Sequence, residues 1–215
     1  MRGDKILIEE HHRAAATAIA DQLVERVRDA DRRLTITVAG ESGSGKSETA
    51  RALADALGQH GITAVVLQQD DYYVLPPISN DRARRANIKW VGTTEVRLDL
   101  IDEHLAAAWA GTTSLTKPLV IYEEDRIDTE TVELGDAEVV IAEGVYTSLL
   151  ENVDLRIFIA RSRLETLAHR AKRGREKIEP FIESVLEIEH EIISRHRVRA
   201  DVVISRDYDV EFVGS

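Results

Sequence analysis

Gly40-Glu41-Ser42-Gly43-Ser44-Gly45-Lys46-Ser47 matches G-x-x-x-x-G-K-[ST], the phosphate-binding P-loop, without a mismatch. The residues before it, Leu34 to Ala39, form a short β-branched, apolar run that reads as a buried strand. The residues after it carry Ala50, Leu53, Ala54 and Leu57 at the spacing of an amphipathic helix. Strand, glycine loop and helix are the setting in which the motif is credible. A glycine-rich turn ahead of an ordinary helix is the alternative, and the intact motif between these flanks weighs against it.

The chemistry follows from residue type. Gly43 and Gly45 lack a Cβ, so the loop can curl and turn successive backbone N–H groups inward. A helix starting near Lys46 adds its unsatisfied N–H groups and the positive end of its dipole. Lys46 can reach the β- and γ-phosphates, and the Ser47 hydroxyl suits a Mg²⁺ ligand. Gly40, Glu41, Ser42, Gly43, Ser44, Gly45, Lys46, Ser47 and Glu48 are therefore the expected nucleotide-binding residues, with ATP and Mg²⁺ as the expected ligands.

Working outward, a second apolar run, Ile62 to Leu67, ends in Gln68-Gln69-Asp70-Asp71-Tyr72-Tyr73. A third, Ala137 to Ala142, ends in Glu143-Gly144. In open α/β sheets ligands sit at the carboxyl ends of the strands, where these acids would stand. Glu143 occupies a Walker-B-like position for Mg²⁺. A carboxylate at 70 or 71 can accept the proton of an attacking hydroxyl or help hold the metal; an acidic loop capping the next helix fits equally.

Residues 74–93 read as irregular, since Pro76-Pro77 break a helix. Their arginines beside Trp90 could close over a polar or anionic substrate, or form a solvated surface loop; the length favours closure. Thr94 reads as an N-cap for a helix through Ala110, with Trp109 in the core. Lys117 to Tyr122 reads as a short extended segment. Leu155 to Ala160 and Ala200 to Ser205 read as two more strands, with Arg206 to Ser215 as a tail. Between them Ser162-Arg163-Leu164-Glu165 forms a capping box opening a basic helix with His169, Arg170, Lys172, Arg173 and Arg175. A lid over the triphosphate is favoured there over a solvated face paired with an acidic helix from Pro180 to Arg197. The leading segment, residues 1–33, reads as a helical extension with Ala16, Ile19, Leu23 and Val27 on one face, and His11-His12 as its solvated start.

Composition sets limits. The 215 residues, 43% of them hydrophobic, can bury a core of their own. The absence of cysteine excludes disulfides, thiolate zinc sites and cysteine nucleophiles. A net charge of −11 argues against a general nucleic-acid binder, so a nucleotide must be held by a local basic site. No stretch approaches the roughly 18 uninterrupted apolar residues of a membrane span, and the apolar run Ile6 to Ile8 is short for a signal peptide. The expectation is a soluble, cytoplasmic protein without membrane or nucleic-acid partners; a homo-oligomer is left open.

With these residues assembled, the chain from about Leu34 to Asp209 resembles the uridine kinase and phosphoribulokinase family of P-loop kinases. Beyond the P-loop the resemblance rests on Gln69-Asp70-Asp71-Tyr72-Tyr73, on Pro118 followed by Tyr122 and Arg126, and on Ile141-Ala142-Glu143-Gly144. It also rests on Arg173-Gly174-Arg175 and on Ala200-Asp201-Val202-Val203-Ile204. It implies Asp70 as general base, with Tyr73, Tyr122 and Arg126 lining the acceptor pocket and Glu143 supporting Mg²⁺ beside Ser47. It implies Arg170, Arg173 and Arg175 in a mobile lid, Arg170 and Arg175 acting catalytically with Lys46 and Asp70, and Arg173 on the nucleotide. Two departures bear on the nucleoside. Uridine kinases carry an N-F-D-H-P-like stretch where this chain has Asn87-Ile88-Lys89-Trp90-Val91-Gly92, and a pyrimidine-contacting histidine stands here as Asp125.

The expected fold is α/β: a P-loop NTPase domain over residues 34–215, its mostly parallel sheet of about five strands flanked by helices. Residues 74–93 and 162–178 would form a small lid. The expected function is ATP-dependent transfer of the γ-phosphate to a hydroxyl of a small metabolite: a nucleoside, a sugar or a sugar phosphate. The alternative is a nucleotide-controlled switch without an acceptor. A guanine-specific switch would show N-K-x-D at a strand end, and the chain lacks it.

Overall fold

The computed structural model describes residues 6–162 and 179–213. In chain order the main elements are α1 (Glu10–Arg28), β1 (Leu34–Gly40), α2 (Lys46–Gln59), β2 (Ala64–Gln68), α3 (Pro77–Ala86) and α4 (Leu98–Trp109). There follow β3 (Ser114–Ile121), β4 (Arg126–Glu133), β5 (Val139–Gly144), β6 (Leu155–Ile159), α5 (Pro180–Ile193), β7 (Val202–Ile204) and β8 (Val210–Phe212). The main sheet has the order β2-β5-β1-β6-β7-β8. Its strands are parallel except β8, which runs antiparallel to β7 at the edge. β3 and β4 form a separate antiparallel hairpin. None of the described helices is long and apolar enough to cross a membrane.

The apolar runs are continuous because both faces of the sheet are covered, and successive side chains enter opposite cores. Ile36, Val38, Val139, Ile141, Ile157 and Ile159 pack in one core with Ile19 and Leu23 of α1 and Leu53 and Leu57 of α2. Val140, Ala142, Phe158 and Val203 pack in the other with Ile101 and Leu105 of α4 and Ile193 of α5. Ile141 is fully buried, so its truncation to alanine would cost roughly 2–5 kcal/mol. This frame fixes the strand ends. The parallel register sets Glu143 beside Val38 of β1 and beside Gln68 of β2, which brings the P-loop and both acidic strand ends to one edge.

Several elements differ from the sequence expectation. The main sheet has six strands, because Val210–Phe212 of the expected tail adds an antiparallel edge. Residues 74–93 are largely ordered: Pro77 occupies the first turn of α3, where its missing N–H costs nothing. Thr93–Glu95 is a single 3₁₀ turn, and α4 starts only at Leu98. The extended segment expected at 117–122 falls, as far as Ile121, within the eight-residue β3, while Tyr122 opens a 3₁₀ turn, and α5 ends at Ile193, followed by a 3₁₀ stretch, Ser194–Arg199. Trp109 is half-buried, donating its Nε1–H to Asp154 with the Arg32 guanidinium over its ring. His12 is not solvated; it is 1% exposed.

Candidate active site

The P-loop joins β1 to α2. Gly43 and Gly45 have φ of 76° and 93°, the left-handed region that disfavours any side chain. A Cβ on Gly45 would lie 2.2 Å from the Tyr208 hydroxyl, so glycine is required there twice over. Lys46 Nζ donates to the Glu41 carbonyl at 2.9 Å, reaching back over the loop, and Ser44 donates its N–H to the same carbonyl. The Glu41 side chain is held by His190 of α5 at 2.7 Å. Ser44 Oγ is buried with no hydrogen-bond partner among the described residues. Glu48, in the first turn of α2, is buried, at 1% exposure.

Four of the expected catalytic and metal residues meet at the strand ends. Ser47 Oγ donates to Glu143 Oε1 at 3.0 Å. Burial, then the charge of Asp70, pushes the Glu143 carboxyl up, against the pull of Lys46 and the Ser47 hydrogen bond; the balance leaves it at about 7. A group tuned in this way by Asp70, Lys46 and Ser47 marks the four as one electrostatic unit. A hydroxyl and a carboxylate are oxygen donors of the kind Mg²⁺ takes, and Mg²⁺ needs only one or two protein ligands beside phosphate and water. The donor set therefore fits Mg²⁺, and the curled loop with its unsatisfied Ser44 hydroxyl fits a phosphate chain.

The structure separates the neighbouring carboxylates. Asp70 is partly exposed and lies near Glu143 and Tyr73. Asp71 is buried, accepting from Lys117 Nζ at 2.6 Å and from the Val120 N–H at 3.0 Å, which fastens the β3–β4 hairpin to the end of β2. Lys117 also pairs with Glu130 at 2.7 Å. Lys117 went unnoticed in the sequence because its partner lies 46 positions away. A cleft of about 620 Å³ opens beside this pair, between α2, β2 and the hairpin, with Ser47, Gln68 and Glu130 in its lining.

Tyr73 is half-buried beneath Arg84 of α3, 5.9 Å from guanidinium carbon to ring centre. Arg84 donates to Glu95 at 2.5 Å and to Glu189 of α5 at 3.4 Å. Glu95 also accepts from Asn80 and from the Gly92 N–H, and Trp90 donates to Asn80. Residues 74–93 are thus fastened to the body through a buried carboxylate. Asp125, at the hairpin tip, accepts from the N–H groups of Ile78 and Ser79 and from the Ser79 hydroxyl, capping the start of α3. Tyr122 and Arg126 are not gathered into the Asp70 cluster. Tyr122 is 43% exposed, and Arg126 is held on its own hairpin by Glu124 and Asp128 at 3.0 and 2.6 Å. Arg170, Arg173 and Arg175 lie outside the described residues.

Gln69, which enters the sequence analysis only as part of a motif and without a role, has a structural one. Its side chain accepts the Tyr146 N–H at 2.7 Å and packs against Gly144, where a Cβ would stand 2.3 Å from the Gln69 Cβ. The close passage of two strand ends is the reason Glu143 is followed by glycine.

Comparison with known proteins agrees with this geometry. A bifunctional alpha-galactosidase/sucrose kinase from Mediterraneibacter gnavus is 31% identical over 210 residues, covering 89% of this chain and 22% of that much longer protein. A uridine kinase from Ureaplasma urealyticum is 29% identical over 159 residues, covering 71% of this chain and 74% of its own length. The structure of a possible uridine kinase from Bacillus stearothermophilus superimposes with a TM-score of 0.59 at 22% identity, over 86% of this chain and 96% of the other. Residues 35–211 match the phosphoribulokinase / uridine kinase family as a whole. With its P-loop between β1 and α2 and acidic strand ends gathered around it, the chain belongs to the phosphoribulokinase / uridine kinase family of P-loop kinases.

Proposed function

We propose that the protein is an ATP-dependent kinase whose acceptor is a hydroxyl of a small sugar-like metabolite. The carrying observation is the unit of Lys46, Ser47, Asp70 and Glu143, joined by the 3.0 Å Ser47–Glu143 hydrogen bond at the ends of β1, β2 and β5. Bound MgATP supplies the phosphoryl group. Ser47 and Glu143 would hold the metal and the P-loop N–H groups the phosphates, while Lys46, which here donates to the Glu41 carbonyl, would turn to the phosphates and stabilise the charge that develops on transfer. Asp70, the carboxylate of the pair left without a structural lysine, accepts the proton of the acceptor hydroxyl. Tyr73 and residues 74–93 wall the acceptor side.

Two observations favour a sugar over a pyrimidine nucleoside. Asp125 stands where a base-contacting histidine would be, and its carboxylate is spent on capping α3. The relative that aligns over 89% of the chain is named a sucrose kinase. The test is MgATP-dependent ADP release across sucrose, fructose, several pentoses and their phosphates, glycerate, uridine and cytidine, with Asp70→Asn as control. A sugar-dependent signal lost in the variant supports the reading. A signal with uridine alone would overturn the acceptor class, and ADP release indifferent to Asp70→Asn would overturn the mechanism.

A further inference from the structure

The family match begins at residue 35, yet the first turn of α1 reaches the nucleotide loop. His12 is 1% exposed, and its Nε2 lies 3.0 Å from the hydroxyl of Tyr208, in the turn between β7 and β8. That hydroxyl donates to the Ser44 carbonyl of the P-loop at 2.9 Å. The direction of each bond can be deduced. His12 Nδ1 accepts the Glu9 N–H at 3.0 Å, so Nε2 carries the ring proton and donates it to Tyr208. The phenol, with its one proton committed to an acceptor-only carbonyl, receives from His12 and from Arg161 at 3.3 Å. The chain of donors runs one way, from the helix to the loop.

Two further features mark this contact as built. Tyr208 adopts a φ of 69°, a conformation unfavourable for an aromatic residue, in delivering its ring beneath the loop. Gly45 leaves no space, since a Cβ there would meet Tyr208 Oη at 2.2 Å and His12 Nε2 at 2.8 Å. The peptide between Ser44 and Gly45 is planar and trans, so its C=O and N–H point in opposite directions. Fixing the carbonyl toward Tyr208 therefore aims the Gly45 N–H away from Tyr208.

We propose that His12 and Tyr208 are positioning residues for the nucleotide site, orienting the Ser44–Gly45 peptide so that ATP's phosphates meet a preformed donor. The proposal rests on the reading of this loop as the ATP site, and deepens it by making α1 and the β7–β8 turn parts of that site. Neither side chain touches the nucleotide.

The test is MgATP affinity measured by calorimetric titration, which needs no acceptor. Tyr208→Phe keeps the ring and removes only the hydroxyl. His12→Ala removes the donor, and His12→Gln restores it, glutamine being at the same time the usual residue for this place in a capping box. Tyr208→Phe and His12→Ala should each weaken MgATP binding about tenfold, and His12→Gln should recover most of it. A purely structural role would lower the melting temperature and leave the affinity of the folded protein unchanged. Binding within twofold of wild type in both Tyr208→Phe and His12→Ala overturns the proposal. If Lys46→Ala binds weakly while those two do not, the proposal alone has failed. If all three bind as wild type, the nucleotide reading fails with it.

Discussion

Asp70 and Asp71 are adjacent in sequence and identical in chemistry, and the structure predicts opposite behaviour on changing each to asparagine. Asp71 is 2% exposed, accepting one charge-assisted bond from Lys117 and one from the Val120 backbone. Asp71→Asn removes the charge and turns an amide toward a buried ammonium, whose counter-charge among the described residues is then Glu130. Breaking a buried pair costs roughly 3–5 kcal/mol, and the remaining Glu130 partner reduces this to about 2–4 kcal/mol. For a chain of this size that is a fall of about 5–15 °C in melting temperature. Asp70→Asn removes a charge that opposes ionisation of Glu143, so it should leave stability unchanged or slightly raised. Turnover should nevertheless fall at least about a hundredfold with loss of the proposed general base. Scanning calorimetry on both variants, with ADP release in the presence of the active acceptor, separates the two effects. The reasoning fails if Asp70→Asn melts as low as Asp71→Asn, or if Asp71→Asn melts as wild type while losing turnover.

Other consequences are checked more briefly. Arg84→Met removes the cation that pairs with Glu95 and Glu189 in the interior and should cost about 3 kcal/mol, read by urea unfolding; wild-type stability would mean the cluster is not held by Arg84. Gly144→Ala drives a methyl into Gln69, the neighbour of Asp70. It should lower stability by about 1–3 kcal/mol and turnover with it. Burial pushes the Asp154 carboxyl up, but bonds from Arg32, the Thr35 N–H and Trp109 outweigh this and hold it at about 2. A depressed carboxylate stabilises the fold above its unfolded value, near 4, and loses that contribution as pH falls toward 2. Acid titration of stability should therefore flatten in Asp154→Asn across that window, by about 1 kcal/mol after solvent screening.

The sequence carried the sheet and its ligand edge because both depend on local pattern. A strand buried on both faces must be apolar throughout, and a loop that wraps phosphate must be glycine-rich, so β1, β5, β6 and the P-loop could be read directly. Pro76-Pro77 misled because proline breaks a helix interior but suits its first turn, and only tertiary context distinguishes the two. The Val210-Glu211-Phe212 strand is too short to show a period. Asp70 and Asp71 were indistinguishable by position because the discriminating partner, Lys117, comes from a different element. His12 looked like a solvated helix start because its partner lies 196 positions further along.

That separation bears on how the protein comes into being. Strand, loop and helix from Leu34 to Gln59 are contiguous and can form early, but the hydroxyl that seats Ser44 arrives 164 residues later, on the turn before the last strand described. Contacts so distant in sequence close late, after the loop entropy between them has been overcome. A half-made chain would hold a P-loop in outline with its backing absent. Tight nucleotide binding would then appear only when the first helix and the last strand have both docked, so ATP would select finished molecules and stabilise them against reopening.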